Sequence, residues 1–191
     1  MEKSVFVEVG SWKGRSAAFM GVEILNSGKN IDFVCVDHWR GSKEHKDVPK
    51  DLFEQFLTNT KPISKVLRTI RAKSTKAAKQ FADRECTFVF IDSGHDFEDV
   101  ISDIRAWFPK VKVGGIIAGD DFLLPDVRRA VLTLLPNVMV GGRGFWPFWW
   151  LQVTDSNLAR TMSRAKIATM TTGEKVKASR KPKQNEDIQT S

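Results

Sequence analysis

A chain of 191 residues is long enough for a full hydrophobic core and too short for two comfortable domains. No apolar run reaches bilayer length, no signal peptide precedes the first predicted strand, and the only cysteines, Cys35 and Cys86, lack metal-type spacing. These features exclude a membrane-spanning protein and a disulfide-built or zinc-stapled scaffold, and point to reduced core thiols in a cytoplasmic protein. The net charge of +7 admits RNA, DNA or an anionic glycan as partner, but it is spread so diffusely that it reads more simply as a solubility feature.

The first apolar run, Val5–Val9, reads as a short buried strand that stops at glycines, and Ser16–Leu25 has helical composition. Strand, glycine turn and helix form a nucleotide-binding unit. Gly10 lets the chain pass close to a ligand, and the free N–H groups of the following helix point into the same crevice. The spacing is E-x-G-x-x-x-G-x-S, with Glu8 at the mouth, so the dinucleotide fingerprint G-x-G-x-x-G is absent. A carboxylate there repels a pyrophosphate but suits a ligand carrying an ammonium group.

A second apolar run, Ile31–Val36, ends in Asp37, at the spacing where nucleotide-binding folds place an acid on a ribose. His38 and His45 follow in a polar segment of the kind that covers substrates. His38, next to Asp37, is counted with the cofactor-binding residues rather than the catalytic ones. Residues Asp51–Thr58 read as a helix and Val66–Ile70 as a strand, with Ser74 capping a helix over Thr75–Phe81.

Phe88–Ile91 is a strand that delivers Asp92 and His95 to its carboxyl end, where active-site groups of parallel sheets collect. Over Asp96–Phe108 the residues Phe97, Val100, Ile101, Ile104, Trp107 and Phe108 share one helical face, and Glu98, Asp99, Asp103 and Arg105 fall mostly on another; Pro109 ends the helix. The next strand, Val113–Ala118, presents Asp120 and Asp121 beside Asp92 if the two strands are neighbours. Three converging carboxylates need a cation, and oxygen-only ligation suits Mg²⁺, Mn²⁺ or Ca²⁺ rather than zinc. Asp120 and Asp121 also fit a plain helix cap before Asp126. His95 has two possible tasks, general base for a hydroxyl or brace for its loop.

Val127–Leu135 forms a further helix between Pro125 and Pro136, followed by a strand at Val138–Val140, a glycine turn, and Phe145–Val153. The tryptophans of that last stretch fit a stacking platform for a carbohydrate or base, or a buried hairpin or homodimer face. After Val153 aromatics and periodicity disappear, and residues 154–191 read as a basic, disordered tail behind a single folded domain of residues 1–153.

Glu8, Gly10, Ser11, Gly14 and Ser16, with the segment Val36-Asp37-His38-Trp39-Arg40-Gly41-Ser42, resemble the class I S-adenosylmethionine-dependent methyltransferases. More narrowly, the chain resembles the group that includes sugar O-methyltransferases of macrolide and aminocoumarin pathways and cephalosporin hydroxylase-like proteins, over roughly residues 4 to 153. The resemblance implies an α/β, doubly wound Rossmann-like sheet, mostly parallel, with a C-terminal antiparallel strand pair. It implies Glu8 on the ligand's ammonium, Gly10, Ser11 and Gly14 at its carboxylate and turn, Asp37 on its ribose, and a metal on Asp92, Asp120 and Asp121 that grips sugar hydroxyls. Related proteins often have His where Asp120 stands. The acid that many methyltransferases place after the third strand is missing from Arg71-Ala72-Lys73-Ser74, which leaves adenine to backbone groups and Ser74. Relatives also carry helices before the first strand, so this chain reads as a minimal version or an N-terminally shortened one.

The expected activity is methyl transfer to an oxygen of a small, sugar-like acceptor with Mg²⁺ help. Alternatives are a nucleic-acid or nucleotide methyltransferase, or a fold relative that has lost methyl transfer. The Asn/Asp-Pro-Pro-aromatic signature of amino-methylating enzymes is absent, which disfavours nucleic acid.

Overall fold

A computed structural model describes residues 3–42, 47–142, 147–161 and 163–164. The strands are β1 (Ser4–Val9), β2 (Ile31–Asp37), β3 (Leu67–Arg71), β4 (Cys86–Ile91), β5 (Val111–Gly119), β6 (Met139–Gly141) and β7 (Phe148–Gln152). The helices are α1 (Arg15–Ser27), α2 (Leu52–Thr60), α3 (Ser74–Ala77), α4 (Phe97–Trp107) and α5 (Pro125–Leu134). One sheet runs in the order β3-β2-β1-β4-β5-β7-β6. Its first five strands are parallel, and β7 pairs antiparallel with both β5 and β6. The expected doubly wound sheet with an antiparallel terminal pair is the fold observed.

Helices cover both faces of the sheet, which is why consecutive residues Phe33, Val34, Cys35 and Val36 of β2 are all buried. One face packs Val34, Val36, Val89 and Ile117 against Ile101, Ile104 and Trp107 of α4 and Val131 and Leu134 of α5. The other packs Phe33 and Cys35 against Ala17 and Ile24 of α1, Leu52 and Phe56 of α2, and Trp39. Both cysteines are free and buried, and burial pushes their thiols up, Cys86 to about 12. Trp149 is buried in the core opposite Gly119, in keeping with the hairpin reading of the aromatic stretch; Phe145 and Trp146 lie outside the described residues.

Three expectations change. The helix expected over Thr75–Phe81 is a single turn, Ser74–Ala77, tightening into a 3₁₀ turn over Ala78–Gln80, and Ser74 is its first residue rather than its cap. Asp103, assigned to the polar face of α4, is 5% exposed. Residues 155–161, expected in the tail, are helical, with Leu158 packed on the core and Thr161 buried. Among the described residues no helix is long and apolar enough to cross a membrane.

Candidate active site

The chain leaves β1 by α1 toward β2 and leaves β3 toward β4 on the opposite side, so a crevice opens at the carboxyl ends of β1 and β4. Gly10 shapes it. Its N–H bonds the Val36 carbonyl at 2.8 Å, its φ is 91°, and a Cβ added there would lie 1.9 Å from the Asp92 carbonyl oxygen. The turns after β1 and β4 therefore meet only because residue 10 has no side chain.

Asp37 fastens this turn. One carboxylate oxygen accepts the N–H groups of Ser11 and Trp12 at 3.1 and 2.9 Å, and the other accepts that of Trp39 at 2.7 Å. A carboxylate offers about four acceptor directions, so about one is left for a ribose hydroxyl rather than the two that a full grip on vicinal hydroxyls needs. Trp12 and Trp39 both adopt left-handed backbone, φ 45° and 50°, a strained conformation for bulky residues. Packing holds them there: the Trp39 ring lies 4.7 Å from both Phe53 and Phe56, and its Nε1–H donates to the Trp12 carbonyl at 2.8 Å.

Glu8 is buried in β1, 3% exposed, next to Val9 and Gly10, which line the crevice. Burial, and secondarily Asp92, raise its pKa from 4.5 to about 7, against the opposing pull of the Ser11, Ser16 and Cys35 side chains beside it. No cation contributes to that balance, so the site fits a ligand that brings a positive charge. The Ser11 hydroxyl is buried next to Glu8 and has no partner in full hydrogen-bond geometry. Gly14 caps α1, and its N–H bonds the Ser11 carbonyl at 2.7 Å. His38 lines the crevice half-exposed, and its Nδ1 accepts the N–H of Arg40.

Register pairs Ile91 with Gly119, so Asp92 and Asp120 leave adjacent strands side by side. The donor atoms of Asp92, His95 and Asp121 lie within 4.8 Å of one another, with His95 Nε2 at 2.7 Å from Asp121 Oδ2. Burial first, then Asp120 and Asp121, push Asp92 up to about 6. Asp120 adds charge beside Asp92 but is not one of the three converging donors, and its Oδ1 accepts the Asp121 N–H at 2.8 Å. The donors that converge are those of Asp92, His95 and Asp121, with the Asp120 carboxylate close by, and the imidazole widens the range of fitting divalent ions beyond Mg²⁺, Mn²⁺ and Ca²⁺.

A family of proteins described as a methyltransferase domain matches residues 7–122, which takes in the glycine turn, Asp37, Asp92 and the Asp120-Asp121 pair. The chain belongs to this methyltransferase family. As a member it is an S-adenosylmethionine-dependent methyltransferase. Similar solved structures include cofactor-bound Rv0187 from MTB, at TM-score 0.57 and 16% identity over 76% of this chain and 71% of that one. The O-methyltransferase NovP aligns at TM-score 0.55 and 14% identity, covering 79% and 72%. CalS11, a TDP-rhamnose 3′-O-methyltransferase of calicheamicin biosynthesis, aligns at 0.53 and 13%, covering 76% and 70%. At such identities these three share the fold. No curated protein sequence matches.

In this methyltransferase the crevice holds about 490 Å³ and is lined among others by Gly10, Trp12, Asp37, His38, Ser74 and Asp92, while Glu8, Ser11, Gly14 and Ser16 are not part of its lining. His45 lies outside the described residues. Ser74 is not a free hydroxyl, since Trp107 Nε1–H donates to its Oγ at 2.8 Å. Sequence reasoning passed over Asp103, whose carboxylate accepts from Ser93 Oγ and, with Ser74 and Ser93 against it, sits buried with a raised pKa set mainly by burial. The signal was available: Asp103 falls three residues after Val100 and four before Trp107, on the inward face. Trp12, Gly94 and Asp99 of the crevice wall carried no comparable sequence signal.

Proposed function

We propose that this methyltransferase transfers the methyl group of S-adenosylmethionine to a hydroxyl oxygen of a small, sugar-like acceptor, with a divalent cation at Asp92, His95 and Asp121. The observation that carries this reading is adjacency. A buried carboxylate suited to an ammonium, Glu8, stands close enough to Asp92 to feel its charge, and Asp92 belongs to the triplet at the neighbouring strand ends.

The triplet fits a cation by its chemistry, because two carboxylates and an imidazole converge where burial, and after it the neighbouring carboxylates, already raise Asp92. When bound, such an ion lowers the pKa of a nearby hydroxyl and orients it. The chain's own residues do the rest by placement. Glu8 pairs with the ammonium, and Ser11 with the first turn of α1 receives the carboxylate. Asp37 gives its remaining acceptor direction to the ribose. In the transfer an oxygen–carbon bond forms as the sulfonium carbon–sulfur bond breaks, and the hydroxyl proton is released. Two roles fit His95, metal ligand and proton acceptor, and replacing it by Gln separates them: a lost ligand is compensated by excess metal, a lost base by raised pH.

Labelled methyl transfer to a panel of nucleotide sugars, with Mg²⁺, Mn²⁺ or chelator, tests the reading, alongside calorimetry with S-adenosylhomocysteine. Failure to bind that ligand would sink it. Turnover unaffected by chelator removes the metal alone. The net charge of +7 favours a second reading, a nucleic-acid or nucleotide acceptor, for which turnover falls steeply as salt rises.

A further inference from the structure

The crevice has ends of different chemistry. Val9, Gly10 and Asp92 line it where β1 and β4 end, with Glu8 and Ser11 buried beside them in the chain, and Asp37 and His38 line it where β2 ends. At the other end the loop of Ala72–Thr75 faces Ser93 and Gly94, and Asp99 of α4 lines the wall. A nucleoside laid with its amino-acid part at Glu8 and its ribose at Asp37 brings its purine between those two loops. A purine amine needs an acceptor there.

Three polar side chains at that end already engage one another or the core. Ser74 Oγ takes the Trp107 indole N–H, and Asp103 takes the Ser93 hydroxyl. The segment Arg71–Ser74 contributes no acid. Asp99 differs: it is exposed, and no hydrogen bond or ion pair engages it among the described residues. Its Oδ2 lies 2.9 Å from the position a Cβ on Gly94 would occupy, so the absence of a side chain at residue 94 leaves the carboxylate room against the crevice wall.

We propose that Asp99 is the specificity-determining residue for the purine, accepting the exocyclic amino group of the cofactor's adenine from helix α4. This rests on the cofactor reading above. A carboxylate accepts from an amino group and repels the carbonyl oxygen that hypoxanthine carries at the same position, so Asp99 both attracts the right base and rejects its deaminated form.

The test is calorimetry of the full chain and its Asp99→Ala and Asp99→Asn variants with S-adenosylhomocysteine and its deaminated analogue S-inosylhomocysteine. Asp99 is exposed but lies in the first turn of α4, so both variants should unfold within about 5 °C of the parent, checked by thermal melts. The parent is expected to prefer the adenine ligand by about thirtyfold, a modest ratio for a partly solvated site. Asp99→Ala should lose about tenfold in affinity for S-adenosylhomocysteine and let the preference fall to about threefold or less. Asp99→Asn, which offers both a donor and an acceptor, should bind the deaminated ligand better than the parent does. Affinities and preference within twofold of the parent in the Ala variant would overturn the role of Asp99 while leaving the cofactor reading intact. A parent chain that binds neither ligand overturns both.

Discussion

Glu8→Gln separates the two things the buried carboxylate does. In the folded chain without ligand, burial and Asp92 hold the Glu8 carboxyl at about 7 against an ordinary 4.5. The folded state therefore keeps a proton that the unfolded state gives up. Stability linked to Glu8 is full below pH 4.5, declines by about 1.4 kcal/mol per pH unit through the interval, and is lost above about pH 7. The fully ionised group then costs about 3 kcal/mol of folding free energy, a figure that needs little discount for solvent because Glu8 is 3% exposed. Gln has the same shape and no charge. Urea unfolding of both ligand-free chains from pH 4.5 to 8.5 should show the gap between them widening by about 3 kcal/mol in favour of the variant. Asp92 titrates in both chains, so the difference reads Glu8 together with its coupling to Asp92. Binding should move oppositely: affinity of the parent for S-adenosylhomocysteine rises with pH as Glu8 ionises, and the variant binds about a hundredfold more weakly at pH 8, with a flat profile. Stability curves that run parallel across the whole range would refute the reasoning.

Gly10→Ala places a Cβ 1.9 Å from the Asp92 carbonyl oxygen in a left-handed backbone, so it should cost about 3 kcal/mol or more and abolish binding of S-adenosylhomocysteine, read by thermal melts and calorimetry. Asp37→Asn sets a single acceptor oxygen and an N–H₂ group before three backbone N–H donors; it should lower stability by about 2 kcal/mol in urea titrations, and a change under about 0.5 kcal/mol would contradict the bonding described. Asp121→Asn is expected to slow metal-supported turnover by about a hundredfold with cofactor affinity within twofold of the parent. A parallel loss of cofactor affinity would move Asp121 from the acceptor side to the cofactor side.

The strands were legible because parallel strands covered on both faces are written as unbroken apolar runs, as in Phe33–Val36. Their ends were less so: β5 begins at Val111 rather than Val113, across a register shift between Cys86 and Phe88 that local hydropathy does not encode. Glu8, Gly10 and Asp92 could be placed because each marks a strand end. What joins them could not, since the Asp37 bonds to Ser11 and Trp12 span 26 and 25 residues. The Asp120-Asp121 pair shows a different limit. Both residues lie beyond the end of β5, where strand alternation no longer fixes which way a side chain faces. Asp121, turned by its φ of 59°, meets His95, and Asp120 folds back on the chain.

The three N–H bonds to Asp37 also bear on how a ligand is received. The loop after β1 is tied to the end of β2 by a carboxylate from the chain itself, and Trp39 locks the same loop through its indole. A ligand entering the crevice finds this wall already built. The ordering entropy that a loose glycine turn would demand at binding is met during folding instead, when the tryptophan rings are buried. Affinity for the nucleoside part then depends on contacts rather than on loop closure, and the association rate should show no slow conformational phase on this side of the crevice.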